Sequence, residues 1–345
     1  MIKLNHTNMK YIIIFILFLS NPIILIAQEQ TAALLQETAK SLVQKGDYEN
    51  AVMVLEKAKL QDPNNVSILK ELSFANHLKR DFVRAIEVGN ESIGKKDADE
   101  QAFQILGLSY KAIASYKDCG KMYRTALRKF PNSGVIYNEY AELFALESDL
   151  EEAINQWEKG ISVDPNYSSN YFNAAIYYGR KNNWLRAILY AELFLNLESY
   201  STRTEEMKAE IITNFTNLLK PGAISSLQNA KTTTAFEKKI LEGMAKVSAN
   251  NKVSIDDIIS IRTKFLLEWV QGKQKQYPFR LFEHQQYLLS QGLFEAYNYW
   301  LFNTPAGEEA YQIWQKNHSK ETAGFKEFQQ SRVFKIPSGE YYFSH

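Results

Sequence analysis

Residues 100–133 read EQAFQILGLSYKAIASYKDCGKMYRTALRKFPNS, and residues 134–167 read GVIYNEYAELFALESDLEEAINQWEKGISVDPNY. Laid under one another without a gap, the two stretches match in kind. Small Gly107 stands over Ala141, Tyr110 over Phe144, Cys119 over Ala153, Tyr123 over Trp157, Ala126 over Gly160 and Pro131 over Pro165. Within each half the apolar residues recur at the three- and four-residue spacing of a helix face. The polar break Glu147-Ser148-Asp149 separates two helices, and the proline stops the second. Each stretch therefore predicts a helical hairpin in which small residues let the helices approach and large ones fill the space between hairpins. One such hairpin cannot bury both of its faces, so stacking has to supply the core.

The same unit extends outward on both sides. Pro63, Pro131 and Pro165 lie 68 and 34 residues apart, and division at 32, 66, 100, 134 and 168 gives five blocks. The first carries Ala39, Leu42, Tyr48, Ala51, Leu55, Ala58 and Pro63; the second Leu69, Leu72, Ser73, Phe82, Ala85, Gly89 and Ser92. The fifth carries Tyr171, Ala174, Ala175, Tyr178, Trp184, Ala187 and Ala191. Lys45-Gly46-Asp47, Lys79-Arg80-Asp81 and Lys181-Asn182-Asn183 supply the turns. This pattern over residues 32–201 resembles the tetratricopeptide repeat family. The departures are Asp97 and Ser199 where the terminal proline would stand, and polar Asn76 at a position usually large and apolar.

The resemblance implies an all-α, right-handed superhelix that holds a protein or peptide in its concave groove, without enzymatic activity and without a cofactor or metal. In this family the first helix of each hairpin lines the groove. Here that implies Gln36, Lys40, Lys70, Phe74, His77, Gln101, Gln104, Lys111, Asn138, Glu142, Phe172 and Arg180. Four cations against one acid suit an acidic or carboxylate-bearing peptide; the plainer reading is solvated helix faces. The Lys/Asn/Arg clamp of chaperone-tail binders is absent, since Phe74 follows Lys70 and Ile105 takes the next place.

Residues 1–27 place Lys3 and Lys10 before the apolar run 11–19, the breakers Ser20, Asn21 and Pro22, and a second apolar run ending at Ala27. That order is expected of a secretory signal cleaved after Ala27, with an uncleaved anchor as the rival. No cysteine follows it, so a lipid anchor is not expected. The whole chain has 345 residues, 40 basic and 39 acidic, and removal of the leader leaves 38 against 39. Near-neutrality gives no general footprint for nucleic acid or anionic membrane. One cysteine excludes an internal disulfide and a cysteine-built zinc site. An exported protein of a bacterial envelope, periplasmic or secreted, is the expectation.

Beyond Ser201 the period weakens while helices continue. Residues 202–222 read as a capping helix, with Thr204 to Leu219 ended by Pro221-Gly222. A loop-like boundary follows at 220–234, and residues 233–345 read as a helical, aromatic-rich C-terminal domain. Ser254 and Asp257 suggest a capping box for a helix running to Gly272. Pro278 is expected to open another helix, and Gly292 to end it. Nine aromatics fall between 277 and 302. Phe294, Tyr297, Trp300 and Leu301 share one helical face, which suggests core; Tyr297, Tyr299 and Trp300 read otherwise as an exposed glycan-binding patch. In joining such helices to an aromatic-rich remainder the chain resembles outer-membrane starch-utilisation binding proteins, which are usually longer and lipid-anchored. Gln291-Gly292 also looks like the turn of another hairpin. No acid–base–nucleophile series, phosphate loop or metal motif is visible. His77, His284, His318 and His345 are isolated, Glu308-Glu309 suits a helix first turn, and Cys119 falls at a packing position. Residues 333–343 look strand-like and are expected to pack back on the helices.

Overall fold

The computed structural model describes residues 31–245, 254–272, 275–304 and 308–342. The expected leader at 1–27, Pro305 and His345 lie outside them. Five helical hairpins come first: α1 (Ala32–Gln44) with α2 (Tyr48–Gln61), α3 (Val66–Leu78) with α4 (Phe82–Ile93), α5 (Glu100–Ala112) with α6 (Tyr116–Lys129), α7 (Gly134–Leu146) with α8 (Leu150–Val163), and α9 (Ser168–Arg180) with α10 (Trp184–Leu197). Successive first helices begin 34 residues apart, and α11 (Thr202–Leu218) begins one further period on.

One turn joins every hairpin. Gly46, Arg80, Ala114, Ser148 and Asn182 all take left-handed backbone, with φ from +55° to +77°. The next residue's N–H then reaches back five places, to the carbonyls of Leu42, Asn76, Tyr110, Phe144 and Tyr178, at 2.9 Å each time. That next residue is also the N-cap of the second helix: Asp47, Asp81, Asp149 and Asn183 accept from the amides of Asn50, Arg84, Glu152 and Arg186. An L-residue in left-handed backbone costs about 1–2 kcal/mol. Ala114 is exposed and has no side-chain bond to offset that cost. Ala114→Gly is expected to raise the unfolding free energy by about 1 kcal/mol, less the entropy glycine adds to the unfolded chain. A fall in the urea midpoint would refute this account of the turn.

Close approach within the hairpins is equally concrete. A Cβ on Gly107 would sit 1.9 Å from the Tyr123 hydroxyl, and one on Gly160 would sit 2.5 Å from Asn170 Nδ2. Ala39, Ala51, Ala58, Ala141, Ala153 and Ala187 are fully buried. Asn76 is buried too, but its Nδ2 donates to the Leu72 carbonyl one turn back at 2.8 Å, so its polarity is satisfied within the helix.

After α11 come α12 (Ala223–Asn229), α13 (Ala235–Ala245), α14 (Ile255–Gly272), α15 (Arg280–Ser290), α16 (Phe294–Leu301), α17 (Glu308–Asn317) and α18 (Ser319–Ser331). The fold is all-α: a hairpin solenoid continued by an aromatic-rich helical part. The Ser254–Asp257 box forms, with reciprocal backbone-to-side-chain bonds of 2.9 and 3.1 Å. Pro278 does not open a helix, because extended Phe279 intervenes and buries its ring against Phe236 and Phe282. Between α15 and α16, Gly292 has φ +68° and the Leu293 N–H bonds back to the Leu288 carbonyl at 2.8 Å. This repeats the turn of the five hairpins.

The C-terminal part does not hang from the solenoid as a separate body. In α10, Leu185 and every residue from Ala187 to Asn196 are buried. A helix hemmed in all round belongs to a core, not to the flank of a solenoid. One apolar cluster accordingly runs from Ala141 through α10, α11 and α14 to Tyr342, across the stretch 220–234 where a boundary is expected. The first hairpins have clusters of their own, around Leu55 and Leu69 and around Phe103 and Tyr123.

Residues 332–342 form an extended strap, not a strand. In place of a ladder, the side chain of Asn166 both donates to the Ile336 carbonyl at 3.1 Å and accepts its N–H at 2.9 Å. Phe334, Ile336 and Tyr342 are buried beneath it.

Candidate functional site

The polar residues of the first helices bond mainly across the repeats. Gln36 Nε2 donates to Glu71 at 2.6 Å, Lys70 Nζ to Asp99 at 2.6 Å and Gln101 at 2.9 Å, and Gln104 Nε2 to Glu139 at 2.8 Å. Lys111 Nζ reaches Glu139 at 2.7 Å and Glu142 at 3.0 Å, Asn138 Nδ2 donates to Glu142, and Asn173 Nδ2 to Asn138. His77 lies 3.1 Å from Ser109 Oγ, its ring between Phe74 and Phe82. The residues joined stand roughly one period apart. The result is a polar ladder that ties each hairpin to the next and fixes its stacking.

This ladder changes the groove's electrostatics. The basic bias read from Lys40, Lys70, Lys111 and Arg180 is not realised, because Glu71, Asp99, Glu139 and Glu142 neutralise the first three. Burial works against the Lys111 ammonium, but the two glutamates outweigh it and hold its pKa above the usual lysine value. Burial pushes the His77 imidazole below its usual pKa.

Where the ladder ends, an apolar hollow of about 700 Å³ opens. Leu146 of α7, Leu150 and Trp157 of α8, and Phe172, Ile176 and Tyr177 of α9 line it, with Glu142, Arg180, Lys181 and Glu206 among its polar neighbours. Leu146 is 53% and Leu150 39% exposed. Trp157 is 6% exposed, and its indole N–H has no hydrogen-bond partner. Arg203 covers the side of Phe172, its guanidinium 5.2 Å from the ring. Of the residues expected in the groove, Glu142, Phe172 and Arg180 meet here. Lys40, Lys70, Phe74, His77, Gln104 and Lys111 lie along the earlier hairpins. Leu146, Trp157 and Ile176 were missed; the exposed leucine beside the turn at Glu147 was the available signal.

The aromatic patch is not a platform. Tyr297 and Tyr299 are buried, and Trp300 is half-buried, stacked on Tyr297 and capped by Lys208 Nζ at 5.0 Å. Tyr299 donates to Asp256 at 2.7 Å and stacks on Trp314, which stacks in turn on His318. Tyr297 donates to Glu192 at 2.8 Å. Glu192 is the centre of a buried polar junction: Arg262 meets it bidentately at 2.6 and 2.8 Å, and Gln285 donates to it at 2.6 Å. Burial alone would depress the Arg262 pKa, but the facing carboxylate raises it. A second junction joins Arg186, Glu237, Thr234 and the Tyr342 hydroxyl. Burial alone would raise the Glu237 pKa, but Arg186 and the hydrogen bonds hold it below the usual glutamate value.

The remaining titratable groups are packed apart from one another. Burial and the cations Arg332 and Arg280 push His284 down to about 2, so it stays neutral. His318 Nδ1 is 3.0 Å from the Trp314 carbonyl, Glu283 pairs with Arg280, and Glu308 accepts from Gln312. Cys119 is fully buried and its thiol is pushed up to about 12, chiefly by burial, so it packs and does not react. Among the described residues no helix is long and apolar enough to cross a membrane.

No family model and no curated protein matches the chain. Solved structures do. TTC0263, a thermophilic TPR protein of Thermus thermophilus, is 13% identical with a TM-score of 0.44, covering 54% of this chain and 99% of that one. PilF of Pseudomonas aeruginosa is 14% identical with a TM-score of 0.45, over 61% and 96%. MamA is 22% identical with a TM-score of 0.39, over 47% and 94%. The fold is of the tetratricopeptide type, on the strength of its own five hairpins and their common turn.

Proposed function

We propose that this protein is a non-enzymatic scaffold of a bacterial envelope, exported by its leader, that holds a peptide or protein segment on the concave side of its hairpins. The observation that carries the reading is the hollow at α7, α8, α9 and α11. Elsewhere along the first helices the polar groups bond largely to one another, whereas here apolar side chains stand open beside a buried donor with nothing to bond. Proteins rarely leave such a combination without use.

A photo-reactive amino acid tests this in cells. Placed at Leu146 or at half-buried Phe74, it is expected to trap one and the same partner outside the cytoplasm. Placed at Leu60, which is 83% exposed on a second helix, it is expected to trap none. Adducts from Leu60 alone, or from none of the three, would sink the scaffold reading.

A further inference from the structure

We propose that the hollow is the specificity site of this groove: it takes one bulky apolar side chain from an extended peptide whose acid and base stand three or four residues apart on either side of it. The inference rests on the scaffold reading and adds the chemistry of the segment held. Three observations converge on it.

The first is the apolar lining, formed by Leu146, Leu150, Phe172, Ile176 and Tyr177 around a volume of about 700 Å³. That space accommodates a leucine or phenylalanine side chain together with the backbone around it. The second is Trp157, more than nine-tenths buried and with its N–H unpaired. A buried donor without an acceptor is costly, and a peptide carbonyl laid over the hollow would supply one.

The third is charge. Lys40, Lys70, Lys111, Lys181 and Arg203 are each ion-paired within the chain. Arg180 and Glu206, which both line the hollow, have no ion-pair partner among the described residues. Glu206 stands one period after Phe172, eight residues short of the level of Arg180. At 1.5 Å per residue this separates the two charges by about 12 Å along the parallel helices α9 and α11. An extended peptide covers that distance in three to four residues. Its acid meets Arg180, its base meets Glu206, and the side chain between them enters the hollow.

Labelled synthetic nonapeptides of serine and glycine serve as the probe, with aspartate and lysine three or four apart in either order. The central residue is leucine, phenylalanine or alanine. Binding to the protein from residue 28 onward is read by fluorescence anisotropy. Leucine or phenylalanine is expected to bind about tenfold or more tighter than alanine. Arg180→Glu, at an exposed position, is expected to lose the aspartate peptides and to recover affinity when lysine replaces the aspartate. Leu146→Asp is expected to abolish binding. Trp157→Phe is expected to weaken it several-fold while leaving the thermal midpoint of the free protein unchanged, which a purely structural tryptophan would not do. Affinity that ignores the central residue, survives Leu146→Asp, or fails to follow the charge swap overturns the proposal. So does binding weaker than about 1 mM for every peptide. In those cases a partner trapped from Phe74 but not from Leu146 keeps the scaffold and removes the hollow, whereas no adduct from either position removes both.

Discussion

Replacing Arg262 by alanine is expected to lower the unfolding free energy of the α10-centred core by about 3–5 kcal/mol, because it strands the Glu192 carboxylate in the interior. Both partners are buried, at 4% and 1% exposure, and the guanidinium also lies 5.3 Å from the Phe215 ring and 5.7 Å from Phe302. Gln285 and Tyr297 would still donate to Glu192, but neither carries a compensating charge. The pair itself is a different matter from its breakage. Desolvating two ions cancels most of their attraction, so Glu192→Leu with Arg262→Met is expected to be far milder than either single change. Urea unfolding followed by circular dichroism measures this. The early hairpins have their own cores, so Arg262→Ala is expected to split the transition, the C-terminal part melting first. A single unshifted transition would mean that the junction contributes nothing.

Tyr342→Ala is expected to cost about 3–5 kcal/mol, the range for emptying a buried aromatic site. The ring is 2% exposed and packs edge-on to Tyr190 at 5.0 Å, within reach of Phe236 and Phe279. Its hydroxyl donates to Glu237, so Tyr342→Phe separates packing from hydrogen bonding and is expected to cost only about 1 kcal/mol. Thermal unfolding of the two variants provides the comparison. If the alanine variant melts like the phenylalanine variant, the strap rests on the surface without holding it.

The hairpin fold was legible because its physics is local. A small residue 34 positions from another small residue, with a left-handed turn residue before an Asp or Asn cap, needs no knowledge of the rest of the chain. The polar ladder was legible in principle, since a 34-residue period makes residues about 30 apart neighbours; Lys40 with Glu71 and Lys111 with Glu142 show the spacing. It was overlooked because each first helix was read as facing solvent. α10 carried its own warning in WLRAILYAELFLNL, which is apolar on every side and so asks to be covered. What covers it was not legible. Glu192 and Arg262 are 70 residues apart, and Asn166 and Ile336 are 170 apart, with no period relating them. The hollow was partly legible through Phe172 and Arg180, but the unbonded indole of Trp157 is visible only once its surroundings are.

The burial of α10 also sets a timetable for synthesis. The first hairpins close through contacts one period away, so they can form while the chain is still growing. α10 is complete at Leu197, yet Tyr342, which packs on it, is made 145 residues later. At about 5–20 residues per second that is an interval of roughly 7–30 s. Throughout it a helix of leucines, tyrosine and phenylalanine has no lid, with Glu192 in its midst awaiting a cation that has not yet been translated. The nascent chain is most adhesive then, and a chaperone or a translocation channel that shields residues 184–197 would guard the step on which its yield depends.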